Sequence, residues 1–338
     1  MTAKKIITQK PQINLSYSTA GRMWLVFGCA FLCVFQSSLT DGGLSLIIVL
    51  TSFFTALLVE LLLTWKKSGF SKIKDGSAAA IAMTLSLLLP NMIHPVYAAF
   101  GAAFAVAVVK YSFGGLGSNW LNPALGGWLF IRFSWPPLFS DALASSPSVT
   151  EMAIVSNTSA LDNSVSSFLN GTFFSFTDAY LPSGYIDLLF NNNPGLITDR
   201  GLFALLVGTV IITAFGINRS WVSLVFLAIY GLLIRFAGGL AQGFWSGDML
   251  YGFFSGGTMV AAFILAAESA SGAKYKQGII LMATLGAVLS WIFRYLCFEY
   301  TGCFIALAIV NCLTPMIRFL EEKFFFLRKK SALSEGRP

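Results

Sequence analysis

The chain has 338 residues, 56% hydrophobic and 11% charged, with a mean hydropathy of +0.74 and a formal net charge of +7. A soluble domain carries roughly 25% charged residues, so the composition excludes an ordinary soluble protein and makes a lipid bilayer the solvent. The basic residues lie in short clusters between apolar runs, which is a topology signal and excludes nucleic acid as a partner. The N-terminal segment 1–21 shows no signal-peptide cleavage pattern. Runs long enough to span a bilayer are expected near 22–39, 43–65, 77–91, 95–113 and 119–135. A long segment, 136–199, follows. A second set is expected near 200–217, 220–237, 248–267, 277–298 and 301–320, before a basic tail, 321–338. The third and eighth spans are the weakest: the third is short and ends at Pro90, and the eighth is interrupted by Ser255-Gly256-Gly257-Thr258.

Ten spans put both termini on one side. That side collects Lys4, Lys5, Lys10, Arg22, Lys66, Lys67, Lys72, Lys74, Lys110, Arg219, Lys274, Lys276, Arg318 and the basic tail. Only Arg132, Arg200, Arg235 and Arg294 remain for the other face. Positive residues stay inside, so both termini are predicted in the cytoplasm, with 136–199 outside. That segment carries six acidic residues and no Lys or Arg; a loop of such length is functional or disordered. Arg235 and Arg294 read as outer-interface anchors. The two halves share a weak internal repeat: Ser77, Pro90 and Tyr97 fall 178 positions before Ser255, Glu268 and Tyr275. Broken spans at matching places indicate inverted repeats with a site near the midplane. The expected fold is thus an all-α integral membrane protein, with repeats at 22–135 and 200–320.

The five cysteines form no CxxC pair and His94 is the only histidine, so zinc, c-type haem and a self-contained iron–sulfur cluster are excluded. The thiols read as packing groups. Electron transfer by this chain needs an organic cofactor. Two acidic residues, Glu60 in the second span and Glu268 at the end of the eighth, are candidates for an ion pathway, with snorkelling to the interface as the alternative.

Three stretches carry a family resemblance: Asp75-Gly76-Ser77-Ala78 through Leu87-Leu88-Leu89-Pro90 to Lys110, Gly114-Gly115-Leu116-Gly117, Asn119 and Asn122-Pro123-Ala124; Ser255-Gly256-Gly257-Thr258-Met259; and Asn311-Cys312-Leu313-Thr314-Pro315. Together they resemble the NqrB/RnfD membrane-subunit family over roughly residues 10–320. Length and the short N-terminus are more similar to RnfD. The resemblance implies a subunit of an ion-translocating electron-transport complex of the bacterial inner membrane, working between ferredoxin and NAD and coupled to Na⁺ or H⁺, with further membrane and peripheral subunits as partners. It also implies FMN bound covalently through its phosphate to a hydroxyl residue, installed by a flavin transferase. A second, noncovalent flavin is a further cofactor to look for.

The family attachment motif, Ser-Gly-Ala-Thr, is best matched by Ser156-Asn157-Thr158-Ser159. Ser159 takes the acceptor place, with Thr158 beside it; the Gly and Ala are missing. An exterior polar loop suits a hydroxyl that must be flexible and reachable, and an ordinary polar turn explains the same residues. Asn157-Thr158-Ser159 and Asn170-Gly171-Thr172 are also glycosylation sequons, discounted as chance matches. In Gly195 to Gly201, Asp199 replaces the family's acidic residue; it serves either as a helix cap or in holding the flavin. Gly115 and Gly117, with Asn119 and Asn122, serve either a flat ligand or close helix packing. The rival function is a channel or secondary transporter for a small polar solute with a urea-channel-like repeat fold. A scaffold whose acceptor site has decayed is the other.

Overall fold

Each predicted span contains a helix, and the helices differ sharply in length. The computed structural model describes residues 18–66, 73–112, 114–115, 117–119, 121–143, 159–176, 181, 183–190, 195–217, 219–238, 244–245, 247–268 and 272–334. The first half holds α1 (Thr19–Thr40), α2 (Leu44–Thr64), α3 (Ser77–Leu87), α4 (Pro95–Phe104, continued by a π-helical turn over Ala105–Lys110) and α5 (Pro123–Ser134). Between the halves lie α6 (Pro136–Leu143), α7 (Ala160–Thr172), α8 (Tyr185–Phe190) and α9 (Ile197–Arg200). The second half holds α10 (Leu202–Ala214), α11 (Ser220–Ala237), α12 (Met249–Phe254), α13 (Thr258–Val260, then a π-helical turn over Ala261–Leu265), α14 (Lys276–Trp291, then a π-helical turn over Ile292–Leu296) and α15 (Gly302–Ser334).

Among the described residues, five helices are long and apolar enough to cross a membrane: α1, α2, α11, α14 with its π turn, and the first 22 residues of α15. The chain is therefore a multi-pass membrane protein. Helices α3, α4 with its π turn, and α10 are apolar but shorter. All eleven residues of α3 are buried, so this short helix lies inside the bundle, wrapped by α1, α2 and α5. Phe54, Leu58 and Leu62 of α2 are exposed on its outer face, which suits contact with lipid tails.

In place of the expected long loop stand α6 to α9. Ser159 caps α7, and Asp162 in its first turn accepts from the amides of Gly184, Ile186 and Asp187. Helix α8 then lies over the ends of the spans: Gln36 of α1 donates to Leu189 O, and the Phe190 ring packs tilted against Phe203 of α10, centroids 4.7 Å apart.

Helices pack closely through small residues, as expected in lipid. A Cβ on Gly127 would lie 2.6 Å from Gly101 O, so α4 and α5 meet backbone to backbone. A Cβ on Gly201 would lie 2.2 Å from Cys33 O, fixing the start of α10 on α1. Of the cysteines, Cys29, Cys33 and Cys303 are buried as expected, whereas Cys297 and Cys312 are exposed.

The halves show paired features. Gly76 precedes α3 at φ +69° and Gly257 precedes α13 at φ +68°, both in the left-handed region that only glycine adopts readily. They lie 181 positions apart, three more than the expected repeat offset. Helices α4 and α14 both end in π-helical turns.

Helix α15 runs past the expected limit of 320, through Pro315. Its stem holds the turn before α14. Arg318 donates twice to Gly272 O, Glu321 accepts from the amides of Lys274 and Tyr275, and Glu322 pairs with Lys274 at 3.9 Å.

Candidate functional site

Four polar arrangements stand out in an otherwise apolar bundle. The first sits at the break before α3. Lys110, on the π turn of α4, donates to Glu60 Oε1 and to Ser77 Oγ at 2.6 Å. Tyr111 donates to Glu60 Oε1 at 2.8 Å, and Ser77 donates to Asp75 at 2.6 Å. Glu60 and Lys110 are 1% and 2% exposed. Lys110, expected in the surface charge collar, is thus inside the protein, and Glu60 does not snorkel. Trp24 closes the site from above, its ring on Gly76 and its Nε1 donating to Lys74 O.

The second surrounds the break before α13. Arg294 Nη1 donates to Ser255 O at 2.7 Å and to Thr258 Oγ1 at 3.0 Å, and Nη2 donates to Ser255 Oγ. Asp199 accepts from Gly257 N at 3.0 Å, from Tyr300 OH at 2.9 Å and from Leu196 N. One expectation changes here. Arg294 is no interface anchor: it is fully buried and supplies donors to the carbonyls freed where the helix breaks, which must find partners inside the bundle. Asp199 does cap α9, and it also receives the start of α13, so it lies within the helix packing. Arg235, by contrast, is exposed at the end of α11 as expected, and donates to Gly247 O.

The third is a cavity of about 290 Å³, at the small end for ligand pockets. It is lined by Arg22 and Met23 of α1, Ile81 and Thr84 of α3, Gly117, Asn122, Ile264 and Glu268. Asn122 caps α5 through Oδ1, which accepts from Leu125 N at 3.2 Å, and its Nδ2 donates to Glu268 Oε2 at 2.6 Å. Residues 146 positions apart, both singled out from sequence, thus meet at one polar wall. Asn119 is buried, and its Oδ1 has no partner among the described residues. Gly115 and Gly117 have positive φ, and a Cβ on either would meet nothing within 4 Å. Backbone conformation, and not close helix packing, explains these glycines. The apolar floor with Asn122, Glu268 and the open Gly117 backbone suits a flat ligand with polar edges.

The fourth is the outer segment. Ser156 and Thr158 lie outside the described residues. Ser159 is half-buried; its Oγ donates to Asp187 Oδ1 at 2.5 Å and accepts from Asp162 N at 3.1 Å, while its amide donates to Asp187 Oδ2 at 2.9 Å. The hydroxyl expected on a flexible loop is thus held at a helix N-terminus. The helix dipole favours an anion there, the carboxylates of Asp162 and Asp187 oppose one, and Asp187 is placed to accept the hydroxyl proton. Nearby, Tyr185 donates to Asp248; burial, and then that hydrogen bond, hold its phenol above the usual range. Asn170 exchanges two 2.9 Å hydrogen bonds with the backbone of Leu181, a structural role that accounts for its sequon without a glycan.

Sequence reasoning missed Lys110, Arg294 and Asp187 as site residues. Lys110 was legible as a charge at the end of an apolar run and Arg294 as one within a run; Asp187 carried no local signal. No group of three or more metal-ligating His, Cys, Asp or Glu side chains occurs among the described residues.

Comparison with known proteins relates the chain to a family. The NQR2, RnfD, RnfE family profile matches residues 6–326. The chain is 27% identical over 332 residues to the D subunit of the Na⁺-translocating ferredoxin:NAD⁺ oxidoreductase complex of Acetobacterium woodii, covering 96% of each protein. It is 23% identical to the D subunit of the proton-translocating ferredoxin:NAD⁺ oxidoreductase complex of Clostridium ljungdahlii, covering 92% of each. It is 26% identical to the D subunit of the ion-translocating oxidoreductase complex of Yersinia pseudotuberculosis, over 92% of this chain and 95% of that protein.

Proposed function

The chain belongs to the NQR2, RnfD, RnfE family, and from that membership we propose that it is the D-type membrane component of an ion-translocating, Rnf-type electron-transport complex in a bacterial inner membrane. The observation that carries this reading is the end-to-end match to the D subunits of ferredoxin:NAD⁺ oxidoreductase complexes. The ten helical segments form two inverted five-helix repeats, a reading supported by the paired glycine breaks and π turns. Both termini lie in the cytoplasm and the α6–α9 segment outside. Other membrane and peripheral subunits supply the ferredoxin and NAD sites.

Ser159 carries FMN as a phosphoester. In attachment from FAD by a flavin transferase, Ser159 would supply the attacking Oγ, Asp187 would take its proton, and AMP would be the leaving group. Thr158 is the neighbouring alternative. When bound, FMN supplies electron transfer in one- or two-electron steps. The cavity walled by Asn122 and Glu268 takes a second, noncovalent flavin, with Asn119 and the Gly115–Gly117 turn beside it. Glu60 and Glu268, on the first and third arrangements, belong to the pathway for Na⁺ or H⁺.

Coexpression with a flavin transferase tests the reading. A fluorescent band in a denaturing gel, and an FMN-sized mass on the peptide containing Ser159, are expected. A protein without any flavin under these conditions refutes it and favours the channel reading.

A further inference from the structure

The ion pair at the α3 break has a feature that simple structural pairing does not explain. Glu60 is 1% exposed, yet its Oε2 has no hydrogen-bond partner among the described residues. A buried carboxylate oxygen left unmatched is costly, and a matched pair would use both oxygens. Around it stand further oxygens: Ser77 Oγ, Tyr111 OH and, behind Ser77, Asp75. Asp75 is half-buried, Ser77 fully buried and Glu60 fully buried, so a polar line runs inward from the surface. Lys110 rides on a π-helical turn, a widened backbone that recurs at functional sites.

We infer that Glu60, Ser77 and Tyr111 form a monovalent-cation site in which the Lys110 ammonium is a tethered, displaceable occupant. Charge sets the valence. The fully buried Glu60 is the carboxylate that the ammonium meets, and exchanging the ammonium for one alkali ion or proton keeps that pair neutral; Asp75, behind Ser77, is half-buried and lies outside this balance. Oxygen donors suit a hard alkali ion. The second break differs, because its cation is Arg294, whose guanidinium stays protonated and is held by carbonyl and hydroxyl acceptors. The cation of the first break faces a carboxylate that an alkali ion or proton can also neutralise. The inference deepens the ion-translocating reading above and rests on it for its physiological meaning.

The test uses the purified full-length chain in detergent, with flavin loading followed by absorbance. Unfolding midpoints are compared in NaCl, LiCl, KCl and choline chloride at equal ionic strength, and across pH in choline. Lys110→Met removes the tether, so the empty site is expected to recruit Na⁺ or Li⁺, with a half-saturation roughly tenfold or more below that of wild type. Stabilisation only by lowering pH identifies the proton as the occupant. The neutral pair Glu60→Gln/Lys110→Met is expected to be cation-insensitive. The inference is overturned if Lys110→Met responds to neither alkali ions nor protons, whether folded or misfolded beyond rescue by them. Cation response without flavin sinks the electron-transfer reading alone; flavin without cation response sinks the site alone.

Discussion

Replacing Ser159 separates two roles that share one oxygen. As an N-cap, its Oγ accepts from Asp162 N, and losing that cap costs about 1 kcal/mol. The same hydroxyl satisfies buried Asp187, and leaving that carboxylate short of a donor costs about 1–3 kcal/mol more. Ser159→Ala should therefore loosen the α7–α8 lock by roughly 2–4 kcal/mol, seen as amide exchange around Gly184 to Asp187 faster by roughly 30- to 1,000-fold. Ser159→Asn keeps a strong cap and an N–H for Asp187 but has no nucleophilic oxygen. It should hold exchange near the wild-type rate and lose covalent flavin fluorescence completely. Ser159→Thr should keep both. Hydrogen exchange on protein made without the flavin transferase, and in-gel fluorescence on protein made with it, read the two roles independently. A fluorescent Ser159→Asn protein, with fluorescence abolished by Thr158→Ala, refutes the register and moves the attachment one residue back.

Three further outcomes follow from the geometry. Arg294→Lys keeps the charge but loses the fork that serves Ser255 O, Ser255 Oγ and Thr258 Oγ1 together; it should cost about 3–5 kcal/mol and lower the thermal midpoint in detergent. Glu268→Gln keeps an acceptor for Asn122 and should change the midpoint little, within about 1 kcal/mol, while weakening noncovalent flavin retention as measured by fluorescence after denaturation. The Tyr185 phenol is raised by burial and by Asp248, so its contribution is complete below the unfolded value near pH 10 and is lost as pH rises through and beyond it. Protection of the α8 amides should therefore stay flat from about pH 7 to 9 and fall above about 10, and Tyr185→Phe should abolish that alkaline fall.

How much was readable in advance differed by physical scale. Apolar runs gave the helices, because length and hydropathy alone decide whether a segment can sit in lipid. The break at Ser255-Gly256-Gly257 was legible because adjacent glycines disfavour a helix. Asn122 and Glu268 were each singled out, but their contact joins residues in different halves, and no local pattern encodes it. Lys110 was visible as a charge at the end of an apolar run; position suggested the surface collar, and only packing showed it turned inward onto Glu60. Arg294 failed for the same reason with the opposite face in mind. The α6–α9 segment read as a loop because its helices are short and are held by Ser159, Asp162 and Gln36 through long-range hydrogen bonds.

The stem of α15 has a mechanical meaning. Arg318 and Glu321 grip the backbone at Gly272, Lys274 and Tyr275, four to seven positions after Glu268. The last helix is therefore fastened to the chain just before α14, so a tilt of α15 at Arg318 and Glu321 is felt first by the backbone of Gly272, Lys274 and Tyr275.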